Sequence, residues 1–355
     1  MSDSTIQRFN DSTKTMPNIG IIGLGFMAAT HLRAYRQVKD ARVAALCNPS
    51  GRHLDGDFTN VAGNVGATDP VKLDMTGVKA TRNVADLLAD RDIHLIDICA
   101  PTKAHHELCL AALRAGKHVL CEKPLARSVQ IAHEIADAAA KAKGFFMPAM
   151  CLRFWPEWAW LKQAIQQQTY GKVLAARFRR VAQPPGWGQK YFFDGTESGG
   201  ALFDLHVHDT DFVQFCFGRP RAVFSTGYQK FSGAIDHVVT QYTVASGAIV
   251  HAEGGWAMTP GFGFNMSYTV NFERATADYD SGRGKEALRL CEQGQAARFI
   301  TCPGTDGYVG ELQHIVGAIQ SGQPPTVVTA RDGMGAIEIC DAEERSVRSG
   351  QPVSL

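Results

Sequence analysis

The chain has 355 residues, 36 Lys+Arg against 35 Asp+Glu and a formal charge of +1, which leaves no field to draw it to nucleic acid or an anionic membrane. An apolar fraction of 45% with 20% charged residues excludes wholesale disorder, and no apolar run nears the roughly 20 residues of a membrane span. The length suits about two domains, and the nine cysteines, odd in number and without a C-x-x-C pair, fit a reducing cytosol better than a disulfide framework.

Residues 1–16 carry no apolar h-region and read as a polar arm rather than a signal peptide. The run Asn18–Gly23 is short, β-branched and closed by glycine, which predicts a buried strand. A helical pattern follows from Ala28 to about Val38, then a second strand at Val43–Cys47 that stops at Asn48-Pro49. The glycine-bearing polar stretch Ser50–Ala80 is either an extended loop or an excursion with a short strand. Strand end and helix follow at Thr81–Asp90, a strand at Ile93–Cys99, a helix at Lys103–Ala115 stopped by Gly116, and a strand at His118–Cys121. Ser128 is placed to cap a helix reaching Lys143, and Phe145–Met150 is a further apolar run. Strand and helix alternate throughout 17–150, which predicts right-handed βαβ units and a parallel sheet.

From 151 to 355 the pattern changes. A helix at Pro156–Gln168 leads into strand-like runs at Lys172–Val181, Arg221–Tyr228, His237–Val244, Ala248–Gly254 and Phe264–Phe272, with Ser246-Gly247 as a hairpin signal. Helical spacing returns at 311–320 and 331–348. The second domain is therefore expected to be α+β, an antiparallel sheet with helices to one side.

Three groups of residues carry chemistry. Gly23-Leu24-Gly25-Phe26-Met27-Ala28 is a G-x-G-x-x-A turn between a strand and a helix. Its first glycine permits the tight turn, its second lets backbone approach a pyrophosphate, and the helix N-terminus offers free N–H groups. Asn48 stands where a ribose-binding carboxylate is expected, and Ser50 and Arg52 follow it. An amide does not repel a 2′-phosphate, so this end of the turn points to NADP over NAD.

Glu122-Lys123-Pro124 comes directly after a buried strand, at the carboxyl edge where parallel sheets bind ligands. The densest polar cluster is Asp204, His206, His208, Asp209 and Asp211 within an apolar stretch. On a helix Asp204 and His208 share a face, and a carboxylate beside an imidazole makes a general base near neutral pH. His206 points elsewhere and reads as a core residue. The same D-x-H-x-H pattern serves as a metal ligand pair when it opens a barrel, but only 147 residues follow His208, too few for a barrel of about 250. No metal is expected.

With these pieces together the sequence resembles the glucose–fructose oxidoreductase/inositol dehydrogenase/rhizopine catabolism (Gfo/Idh/MocA) family. The matching stretches are IGIIGLGFMA (19–28), Ala100-Pro101-Thr102-Lys103-Ala104-His105, AALRAGKHVLCEKPLA (111–126), Arg153-Phe154-Trp155-Pro156 and GGALFDLHVHDTDF (199–212). The resemblance implies a doubly wound Rossmann domain followed by a domain with a large, mostly antiparallel open sheet. It implies NAD(P)-dependent hydride transfer to or from a secondary alcohol of a sugar, cyclitol or related polyol, in a cytoplasmic homodimer or homotetramer. Redox-neutral glycoside cleavage or epimerisation, and dinucleotide binding without catalysis, are the alternative readings.

By the same resemblance Lys123, Asp204 and His208 are catalytic: His208 takes the proton, Asp204 holds the imidazole and Lys123 bonds the reacting oxygen. The dinucleotide is expected against Gly23, Gly25, Phe26, Met27, Asn48, Ser50, Arg52, Ala100, Pro101, Thr102, His105, Glu122 and Lys123. The sugar is expected against Lys123, Asp204, His208, Arg153, Trp155 and Trp187, with Lys190 and Tyr191 as further rim candidates. The Lys123-Pro124 bond is expected to be cis. Three departures stand out: His206 replaces the usual glycine of D-x-G-x-H, Cys151 precedes the Arg-Phe pair, and Asn48 replaces an Asp.

Overall fold

A computed structural model describes residues 16–355 apart from 62, 64–68 and 305, so the expected arm at 1–16 lies, but for Met16, outside the described residues. The first sheet has the order β3-β2-β1-β4-β5-β6, all parallel. Its strands are β1 (Asn18–Ile22), β2 (Arg42–Cys47), β3 (Lys79–Thr81), β4 (Leu95–Ile98), β5 (His118–Glu122) and β6 (Phe146–Ala149). The central strands are apolar on both faces because helices cover both; β4 is fully buried along its length. Chain order reverses between β1 and β4, and at such a switch point the carboxyl ends of the strands open a crevice.

The helices fall where capping chemistry puts them. The Ser128 side chain accepts from the Ile131 N–H at 3.3 Å and starts the helix Val129–Lys141. The Thr329 and Asp332 side chains form a reciprocal capping box that starts Ala330–Ser349.

The second sheet has nine strands in the order β14-β13-β12-β11-β7-β10-β9-β8-β15. They are β7 (Val173–Ala182), β8 (Ala222–Tyr228), β9 (His237–Thr243), β10 (Ile249–Gly255), β11 (Phe264–Phe272), β12 (Ala275–Asp280), β13 (Leu288–Glu292), β14 (Arg298–Ile300) and β15 (Val353–Ser354). Every neighbouring pair is antiparallel except β7 with β10. One face alternates buried residues into a core with the helices Pro156–Gln166, Val207–Phe217 and Ala330–Ser349. Trp158 fills its centre, with ring centroids 4.8 Å from Phe212 and 5.2 Å from Tyr268, both edge-on.

The first core recruits the end of the chain. Val309, Leu312, Ile315 and Val316, on the helix Gly307–Ser321, are buried with Ile19, Ile21 and Leu32. The fold therefore clamps the two sheets together at the carboxyl edge of β1 and β5. All nine cysteines are unpaired. Among the described residues no helix is long and apolar enough to cross a membrane.

Candidate active site

The glycine turn sits at the mouth of the crevice. Gly23 has φ of +86°, and a Cβ there would lie 2.6 Å from the Ala100 backbone, so the turn requires glycine. Gly25 differs: a Cβ there would meet nothing within 4 Å. The open space belongs to a cleft of about 1280 Å³ lined by Gly23, Gly25, Phe26, Met27, Asn48, Ser50, Arg52, Ala100, Pro101 and Thr102. The helix Phe26–Tyr35 begins at its wall, its N-cap Gly25 giving no side-chain capping bond. Uncapped helical N–H groups, a glycine that leaves room for close approach and a long cleft fit a dinucleotide. The Asn48 amide donates to the Arg52 carbonyl at 2.7 Å and its oxygen accepts from the Ser50 hydroxyl at 3.1 Å. That Asx turn holds Ser50 and Arg52 on the cleft wall.

A second cleft, about 940 Å³, adjoins the first. Phe26, Met27, Glu122, Lys123, Trp187, Phe192 and Asp204 line both. Lys123 follows β5, and the Lys123–Pro124 peptide is cis. Its side chain is 14% exposed; its Nζ donates to the Asp204 carbonyl at 2.6 Å and to Asp204 Oδ1 at 3.2 Å. Burial pulls the Lys123 ammonium down, but the Asp204 and Glu122 carboxylates overcome it and hold the pKa above its ordinary value. Lys123 is a cation at neutral pH. His208 lines the same cavity from the helix Val207–Phe217. Burial first, then the Lys123 and Arg180 charges, push its pKa well below the ordinary 6.5. His208 is therefore neutral, the form a general base needs.

Asp204 does not hold His208. The turn Leu202–His206 is a π-helix that joins the following α-helix, and the Asp204 carboxylate is taken by Lys123. His208 Nδ1 has no hydrogen-bond partner among the described residues. The simple i, i+4 pairing on one helix fails because a stronger, charged donor reaches the carboxylate from the other sheet.

Beneath Lys123 lies a buried charge cluster. Glu122 Oε2 accepts the Lys123 backbone N–H at 2.9 Å, and Glu122 Oε1 lies 3.1 Å from His31 Nε2. His31 Nδ1 is 2.8 Å from Asp97, which also accepts from the Tyr35 hydroxyl at 3.1 Å; Glu311 is 3.6 Å from His31 Nε2. Burial pulls the His31 pKa down, yet Asp97 raises it well above its ordinary value, so the ring is a cation that binds Glu122. Burial pushes the Glu311 carboxyl well up. The cluster fixes Glu122, and Glu122 fixes the peptide that carries Lys123. The sequence reading passed over it, although Asp97 in the apolar strand LIDI was a visible signal.

Several expected site residues lie elsewhere. Arg153 is 3% exposed and makes a two-pronged pair with Asp211, Nε–Oδ2 2.8 Å and Nη2–Oδ1 2.6 Å, and donates to the Val327 carbonyl. It braces the fold and lines neither cleft, because its buried charge is consumed by Asp211. His105 is likewise turned inward, bonding the Pro124 and Ala100 carbonyls at 3.0 and 2.9 Å, so it shapes the cleft wall without facing it. Tyr191 bonds the Thr102 hydroxyl at 3.1 Å on the dinucleotide side, and Lys190 is exposed outside both clefts. His206 is fully buried, 3.3 Å from the Tyr242 hydroxyl and 3.5 Å from Glu343. Trp155 and Trp187 do line the second cleft, joined there by Arg180, Phe192, Trp256 and Tyr308, which the sequence reading had not singled out. Arg180 had a signal: it shares the inward face of β7 with Ala176 and Phe178.

A neutral imidazole and a lysine cation facing one cavity beside a dinucleotide cleft define an oxidoreductase acting on a carbon–oxygen bond. Comparison with known proteins gives the family. Residues 17–150 match the oxidoreductase family with an NAD-binding Rossmann fold, and residues 158–278 match the GFO/IDH/MocA C-terminal domain; the chain belongs to the Gfo/Idh/MocA oxidoreductases. It is 25% identical to the myo-inositol 2-dehydrogenase of Thermotoga maritima over 350 residues, 95% of this chain and 98% of that one. It is 36% identical to the 1,5-anhydro-D-fructose reductase of Ensifer adhaerens over 141 residues, 39% of this chain and 41% of that one. Its fold is that of levoglucosan dehydrogenase solved with NADH and levoglucosan (22% identity, TM-score 0.82, 95% of this chain and 99% of that one).

Proposed function

We propose that this enzyme oxidises a secondary alcohol of a sugar or cyclitol, or reduces the matching ketone. The observation that carries this reading is the meeting of the two clefts at Lys123 and Asp204, with neutral His208 on the wall of the inner one. The nicotinamide, when bound, exchanges the hydride. His208 takes the hydroxyl proton. The Lys123 ammonium donates to the reacting oxygen and favours negative charge there. Asp204 holds that ammonium in place and tempers its charge. General base catalysis of this kind supplies about 10²–10⁴-fold.

The preferred cofactor is NADP. Asn48 puts no carboxylate where a 2′-phosphate would sit, and Arg52, exposed on the cleft wall, makes no ion pair among the described residues. The enzyme works as a homodimer or homotetramer through the outer face of its second sheet, where Phe224, Val239 and Ile249 are exposed. Its unpaired thiols suit a reducing cytoplasm.

The test is reduction of NAD+ and NADP+ by a panel of sugars and cyclitols, with melting temperatures recorded for NAD+, NADH, NADP+ and NADPH. Ligand binding to the native state raises the midpoint, and the expected shift is larger for the NADP pair. A larger shift with the NAD pair overturns the cofactor reading alone. Dinucleotide binding without turnover of any sugar overturns the substrate reading.

A further inference from the structure

The inner cleft is unequal at its two ends. Lys123, Asp204 and His208 serve the reacting carbon. Away from them the wall is apolar: Trp155, Trp187, Trp256, Phe192, Phe264 and Met266. Few polar groups relieve it. The Glu122 carboxylate is committed to His31 and to the Lys123 N–H. Gln183 lines the cleft, but its oxygen already accepts the Gly261 and Gly263 N–H groups at 2.8 and 3.1 Å. Tyr308 brings a hydroxyl on the side of the helix Gly307–Ser321. The remaining group is Arg180.

Arg180 is 5% exposed. Its Nε donates to Asp209 Oδ2 at 2.7 Å and its Nη1 approaches Met266 Sδ at 3.5 Å. Its Nη2 is buried with no partner among the described residues. A buried donor left alone is costly, and here it belongs to a side chain on the wall of a substrate cavity. It asks for an acceptor. The acceptor need not be an anion, because Asp209 already balances Arg180 and Asp204 balances Lys123.

A free cyclitol presents a hydroxyl on every ring carbon, and each brings a donor as well as an acceptor into the cavity. Against a wall of indole and phenyl rings those donors go unmatched and pay desolvation. A sugar with a capped anomeric oxygen differs in both respects. An ether oxygen only accepts, and the cap and ring C–H faces are apolar. We propose that the substrate is such a sugar, an anhydro-sugar or an alkyl or aryl glycoside, and that Arg180 Nη2 donates to its capped oxygen while the aromatic wall takes the cap. The inference rests on the dehydrogenase reading above and narrows it; Arg180 becomes the residue that sets specificity.

The test uses the purified full chain with its cofactor. The values of kcat/KM are compared for myo-inositol, D-glucose, levoglucosan, methyl β-D-glucopyranoside and phenyl β-D-glucopyranoside. The capped sugars are expected to exceed the two free polyols by about tenfold or more. Equal or better use of myo-inositol or glucose overturns the inference and leaves the dehydrogenase reading standing. Failure to reduce either dinucleotide with any of the five overturns both.

Two variants locate the cause. Arg180→Gln combined with Asp209→Asn removes the pair together, so no buried charge is stranded. It is expected to erase the preference through KM, with NADPH affinity unchanged. Phe264→Leu touches only the apolar wall of the inner cleft and is expected to reduce the preference several-fold, again through KM. The second variant stands even where the first does not fold. An unchanged preference in a folded variant, checked by its melting temperature, overturns the role given to that residue.

Discussion

At the scale of the residue, the site turns on two side chains held in opposite states of charge. His208 is kept neutral and Lys123 is kept protonated by the same crowded environment. The sign of the pH dependence follows. A base whose pKa is depressed is lost only when pH falls through the depressed value. The acid limb of kcat/KM therefore lies below pH 6.5, the ordinary histidine value, and activity is level through neutrality. A limb at or above pH 7 in the pH–rate profile contradicts this assignment. Much of the chemistry was legible here: Lys123, Asp204 and His208 stand out by motif and meet in one cavity. Their wiring was not. The sequence pairs Asp204 with His208 because they are four apart, whereas the fold gives Asp204 to a lysine 81 residues away. Proximity across two sheets leaves no periodic trace.

At the scale of the element, the glycine turn separates folding from binding. Gly23→Ala drives a Cβ into the Ala100 backbone at positive φ, and a lowered melting temperature is expected. Gly25→Val has open space on the protein side, so the apo melting temperature should hold while dinucleotide affinity drops at least about tenfold as the cleft fills. Fluorescence titration of NADPH on both variants checks the pair; full affinity in Gly25→Val would refute the placement of the dinucleotide. Strands and helices with strong patterns were read to within a few residues, Phe264–Phe272 among them. The strands β12 to β14 escaped notice. They are short, and their buried positions, Ala275, Ala277, Tyr279, Leu288 and Leu290, are broken by the glycine-bearing segment Ser281–Glu286. The π-turn at Leu202–His206 also has no sequence signature of its own.

At the scale of the whole molecule, buried ion pairs lock the two sheets into one working unit. Arg153→Met leaves the Asp211 carboxylate buried without its partner, and a loss of about 3–5 kcal/mol of stability is expected. Denaturant unfolding measures it, and kcat/KM per folded molecule should stay near the wild-type value because Arg153 reaches neither cleft. A fall in kcat/KM at unchanged stability would return Arg153 to the site. Composition and alternation revealed two sheets of different kinds, but the return of Gly307–Ser321 to the first core depends on long-range packing that local patterns do not encode. The central claim is that Lys123 and His208 perform the proton and oxygen chemistry of hydride transfer and are not needed to bind dinucleotide. The most direct measurement is the rate of sugar-dependent dinucleotide reduction in Lys123→Met and His208→Ala, with NADPH affinity determined on the same samples. Near-wild-type affinity with turnover reduced by about 10²-fold or more is the predicted result; turnover retained in either variant contradicts the account.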